Sequence, residues 1–206
     1  MMKPEIEERL VGLDNIIQSL NNNIQLLEYI SYNLHRETFS LNNNLGLIWI
    51  WQNLMAIQII DFYKVIVANE KFSFSKIFNV SNGLKEAIDF DSLNSMIADL
   101  NSDYDNHKFE VVRSKYLAHQ DLNVAEIKTD IVTIRHFTDK IISTFLFLTK
   151  ELNWKHSDLN NNVQNSFKEI FERIDEYEKV SAYLMAAEIK GEKTIEIEEL
   201  ANSIKQ

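Results

Sequence analysis

The chain reads as an all-α protein, an up-and-down bundle of four to five long helices with a helical C-terminal extension. Three observations predict this. Only 4 Gly and 1 Pro occur in 206 residues, too few for the many turns of an all-β fold. Apolar residues recur at spacings of three and four over most of the length. The polar breaks are short, and Asn-rich at 42–44 and 160–162. We divide the chain into a bundle over 1–155 and an extension over 156–206. The extension packs either on the bundle or on a dimer partner.

Residues 5–36 predict one long helix, with Pro4 suited to its first turn. Ile6, Leu10, Leu13, Ile17, Leu20, Ile24, Leu27 and Leu34 form a heptad seam, with Ser31 its only polar member. Such a seam fits a bundle helix better than a free coiled-coil arm. Residues 45–67 form the most apolar helix, with no charge from Leu45 to Ile60. That run is shorter than the roughly 20 residues of a membrane span and includes Gln52, Asn53 and Gln58. The expected role is therefore the buried centre of the bundle. Asp61 near its end is either a paired structural carboxylate or a member of a site.

Ser73-Phe74-Ser75-Lys76-Ile77-Phe78 predicts a short capped helical turn carrying two Phe side chains. Asp91 or Ser92 is the expected cap of the next helix, whose stripe is Leu93, Ile97, Leu100 and Tyr104. The helix either continues to His119 or breaks near residues 103–106. A further helix is expected over 124–153, with Ile127, Ile131, Ile134, Ile141, Phe145, Leu148 and Leu152 inward. The last long helix, 163–190, carries Val163, Phe167, Ile170, Ile174, Tyr177 and Leu184. Gly191 is its stop, and Thr194 caps a final short helix over 195–205.

Composition limits the function. The chain has no cysteine, which excludes thiol catalysis, disulfides and cysteine metal sites. The net charge of −10 denies it a broad basic surface, so RNA binding has to use a local patch. No His-Glu-x-x-His pair, nucleophile elbow or Walker-type loop is present, and no metal or cofactor is expected. The acidic N-terminus lacks the apolar core of a signal peptide, so the cytoplasm is the expected location and no membrane partner is expected.

One stretch carries chemistry: Arg113-Ser114-Lys115-Tyr116-Leu117-Ala118-His119-Gln120-Asp121. A histidine can serve as acid or base at a ribose 2′-OH and a leaving oxygen. An arginine fork can stabilise charge on phosphorus. Lys115 adds a cation, and Asp121 can orient the imidazole through its other nitrogen. Arg113 and His119 lie six positions apart, roughly 120° around an ideal helix. A complete site therefore calls for a local change of helix or for two chains meeting along it.

Arg113-x5-His119 resembles the motif of the HEPN superfamily. The longer pattern Arg113-x-Lys115-x-x-Ala118-His119-x-Asp121 resembles its AbiU-type abortive-infection branch. The resemblance implies a dimeric helical bundle and a metal-independent ribonuclease, or an RNA-binding protein, of toxin–antitoxin or phage-defence type. The motif would lie at the dimer cleft, and an antitoxin or other partner protein is implied. Arg113, His119, Lys115 and Asp121 are the catalytic candidates. The chain departs from the family pattern at Ser114, where an Asn, Asp or His is usual. Asp121 stands where some toxins carry a modifiable Tyr. The rival expectation is a non-catalytic helical interaction module.

Overall fold

The computed structural model describes residues 3–34, 44–118, 130–160 and 162–189. Among these there are seven helices and no strand. They are α1 (Pro4–Leu34), α2 (Leu45–Ile66), α3 (Phe74–Gly83), α4 (Phe90–Asn106), α5 (Phe109–Ala118), α6 (Ile131–Glu151) and α7 (Val163–Ile189). Five are long and two span ten residues each, so the all-α bundle predicted from periodicity is what the chain forms.

α1 is the spine, and it packs on α2, α3, α6 and α7. Every apolar member of its seam is buried, so the seam is spent inside the chain. Ser31, the seam's polar member, accepts a hydrogen bond from the Trp51 indole at 2.7 Å. Gly12 belongs to this helix for a steric reason: a Cβ there would collide with the Phe72 ring. At the core, Gln58 is fully buried and joins three helices. Its amide nitrogen donates to the Leu20 carbonyl at 3.3 Å and to the Thr138 hydroxyl at 2.9 Å.

Side-chain caps set the helix starts. Asn44 accepts from the Leu47 amide, Ser73 from Lys76 and Asp130 from Thr133. The α4 cap is Asp89, which accepts from the Ser92 amide at 3.0 Å, and not Asp91 or Ser92. Asp91 instead falls in the first turn, where a carboxylate also suits the dipole. α6 begins at Ile131. The expected start near 124, with Ile127, lies outside the described residues, as do Gly191, Thr194 and the short helix expected at 195–205.

α2 departs from the expectation of a fully buried centre. Its C-terminal half is built into the core through Met55, Ile59, Phe62 and Val65. Its N-terminal half leaves Leu45, Trp49 and Ile50 exposed. α2 alone among the described helices is long and apolar enough to cross a membrane, and 33% of that stretch is buried within the bundle. An uncharged helix need not be central: among the described residues, neighbours leave part of its surface exposed.

The link from α6 to α7 is tied back to α1. Asp14 accepts from the Ser157 amide at 3.1 Å and from its hydroxyl, and Asn21 donates to the Leu159 carbonyl at 2.8 Å. These contacts seat the base of α7, where Phe171 stacks on Tyr29 with ring centroids 5.7 Å apart.

Candidate functional site

α4 and α5 are separate helices. His107 caps α4, and Lys108 takes a left-handed conformation with φ 54°, which turns the chain before Phe109. The break thus comes just after residues 103–106, without a Gly or Pro to mark it. α5 is docked by Phe109 and Val112, both essentially fully buried. The Phe109 ring sits 5.2 Å from Phe62, 4.9 Å from Phe137 and 5.8 Å from Tyr104. This aromatic cluster fixes α5 against α2, α4 and α6, and with it the next residue, Arg113.

Arg113 is held on two sides. Its guanidinium lies over the Tyr63 ring, 3.9 Å from the centroid. Its Nε and Nη2 donate to the two carboxylate oxygens of Glu110, at 3.2 and 2.6 Å. The Tyr104 hydroxyl donates to the same carboxylate at 3.1 Å. The Arg113 side chain remains 27% exposed, so the group faces solvent rather than the core. The hydrogen bond from Arg113 holds the Glu110 carboxyl below the usual carboxylate range, and Glu110 in turn raises Arg113. Burial, and then the nearby Glu110 charge, push the Tyr104 phenol well above its ordinary range.

The arrangement presents one oriented cation. The Nε–Nη2 edge is occupied by Glu110, one face is covered by Tyr63, and Nη1 has no hydrogen-bond partner among the described residues. An anion can therefore approach at Nη1 or take the place of the Glu110 carboxylate. Of the other sequence-predicted site residues, Lys115 lies on α5 but its side chain is outside the described set, and His119 and Asp121 lie outside the described residues. Of the four motif residues, Arg113 is thus the one whose side chain lies among the described residues.

Sequence reasoning missed Glu110, Tyr63 and Tyr104. Glu110 was within reach, because a carboxylate three residues before an arginine on a helix faces it. Tyr63 and Tyr104 reach the site only through tertiary packing. Asp61 is a paired structural carboxylate: it is buried and accepts from the Ser19 hydroxyl at 2.8 Å and from Lys64 at 2.7 Å.

A groove of about 300 Å³ between α4 and α6 is lined by Asp99, His136, Asp139, Lys140 and Ser143 among others. Lys140 is bound there by Asp99 at 2.8 Å and Asp103 at 2.6 Å, so its charge is already compensated. No three His, Asp or Glu side chains converge as a metal-ion site among the described residues. Comparison with protein-family models, curated proteins and solved structures finds no match to this chain.

Proposed function

We propose that this chain is a HEPN-type toxin or phage-defence protein of the AbiU kind, acting on RNA as a dimer through the Arg113-x5-His119 motif. The observation that supports this reading is the presentation of Arg113. A solvent-facing guanidinium, oriented by Tyr63 and Glu110, stands at the head of a motif whose histidine follows six residues later in sequence.

In this reading His119 removes the proton from a ribose 2′-OH, whose oxygen attacks the adjacent phosphorus. The 5′-oxygen leaves as its bond to phosphorus breaks and takes up a proton from water, while His119 returns the proton it removed to solvent, giving a 2′,3′-cyclic phosphate and a 5′-hydroxyl. Arg113 stabilises the charge that grows on the phosphoryl oxygens. Lys115 is an auxiliary cation and Asp121 orients the imidazole. The chemistry runs on protons and fixed charge and calls for no metal. A second copy supplies the cleft, and an antitoxin or other partner protein is the expected regulator.

The test is cleavage of labelled single-stranded RNA by the purified chain in EDTA, with His119→Ala and Arg113→Ala alongside. Cleavage by the wild type alone, leaving cyclic phosphate ends, is the expected result. Equal cleavage by all three would refute it. A second reading, a non-catalytic interaction module, is favoured by the Glu110 carboxylate already neutralising Arg113 and by the exposed apolar face of α2. It predicts no cleavage by any of the three, and loss of partner binding when Arg113 is replaced.

A further inference from the structure

We infer that α7 is a contact between two copies of this chain, packed parallel along the seam formed by Ile170, Ile174 and Tyr177. The RNA reading also calls for a second copy; the contact inferred here is on α7, not α5, and the Ile174→Asp variant separates the two.

α7 has 27 residues, about 40 Å of helix. Among its described residues the buried side chain, Phe171, lies near its base. Phe167 and Phe171 lie against α1, and beyond Phe171 no described residue of α7 is buried. The exposed part is nevertheless patterned. Phe167, Ile170, Ile174, Tyr177, Ser181 and Leu184 occupy alternating a and d positions of a heptad repeat. Ile170 is 52% exposed, Ile174 39% and Tyr177 64%. A helix in water draws most of its stability from packing an apolar stripe, and among the described residues Ile170, Ile174 and Tyr177 on this stripe stay exposed.

The charges say what fits it. From 167 to 184 every charged residue of α7 lies off the seam, and Glu188 takes the next a position. In this register Arg173 takes a g position and Glu178, five residues on, the following e position. A parallel pair of identical helices sets g of one chain beside that e of the other, so Arg173 of each copy meets the position of Glu178 in the second copy. Antiparallel pairing sets g against g and e against e. The g positions hold Ser166, Arg173 and Val180, and the e positions Phe171, Glu178 and Met185, with no opposite charges to match in either set. The helix is thus complementary to its own parallel copy.

Light scattering with size-exclusion chromatography tests this on the full chain. The wild type is expected at twice the 24.1 kDa of one chain. Ile174→Asp, at a half-exposed position that leaves the fold intact by circular dichroism, raises the dissociation constant on the order of 100-fold. Arg173→Glu and Glu178→Arg each weaken the dimer about fivefold, and the two together restore it. A wild type that is monomeric at every concentration overturns the inference, leaving the seam to residues 190–206 or to a different protein. A dimer indifferent to Ile174→Asp overturns it by placing the contact elsewhere. Failure of the double charge swap to restore association overturns the parallel arrangement.

Discussion

Replacing Phe109 by Ala should detach α5 before it unfolds the bundle. Phe109 is fully buried and touches the rings of Phe62, Phe137 and Tyr104 at centroid separations of 4.9 to 5.8 Å. Removing the ring loses about 2–3 kcal/mol of apolar transfer. Three aromatic contacts add at least roughly 0.5 kcal/mol each, so the total starts at about 3.5 kcal/mol, within the range for Phe→Ala in a core. α5, however, has ten residues and, where its side chains are described, only one other buried anchor, Val112. Its docking free energy is therefore of the same size as the loss. Native-state hydrogen exchange should show amides 112–114 losing protection by a factor of about 100 or more while those of α1 keep most of theirs. Urea unfolding should give a global loss smaller than the local one. If α5 protection is unchanged and the global loss is under about 1 kcal/mol, Phe109 does not anchor the helix and the account of how Arg113 is placed fails.

Three further outcomes are expected. Gly12→Ala should destabilise by about 1–2 kcal/mol through its collision with Phe72, despite the better helix propensity of Ala; in a Phe72→Ala background the same change should stabilise by about 1 kcal/mol, as read by thermal unfolding. Tyr104, whose phenol is raised by burial, supports the fold below its ordinary value near 10; stability should fall by about 1.4 kcal/mol per pH unit above it, and Tyr104→Phe should flatten that slope. Glu110, held low by its hydrogen bond from Arg113, supports the fold above its ordinary carboxylate value and loses that support as pH falls through its lowered one; the pair is exposed, so Glu110→Gln should change acid stability by less than about 1 kcal/mol.

What was legible in the sequence follows from what is local. The heptad seam of α1 could be read directly because 3.5-residue spacing marks one face, and each apolar member is buried, whereas the second buried face, with Leu26, Tyr29 and Ile30, does not follow that spacing. Ser73 was readable because few residues cap helices well. Asp89 was passed over because Asp91 and Ser92, both good caps, stood beside it. The α4–α5 break was hidden because Lys108, not Gly, takes the positive φ. α2 misled because an uncharged sequence says that a helix tolerates burial, not that neighbours surround it. At the site, the motif exposed Arg113 and helical spacing implied Glu110. Tyr63, fifty positions away, is brought beneath the guanidinium only by the packing of α5 on α2.

The buried Gln58 amide bears on how the helices choose their vertical alignment. Isoleucine and leucine seams are nearly degenerate: sliding α2 along α1 by two turns would again face aliphatic side chains with aliphatic side chains. Gln58 removes that degeneracy, since only one alignment offers its Nε2 both the Leu20 carbonyl and the Thr138 hydroxyl. In any slipped alignment a buried amide without acceptors costs about 1–3 kcal/mol. The polar residue at the core thus acts as an index mark, and a Gln58→Leu chain is expected to trade a single alignment for several.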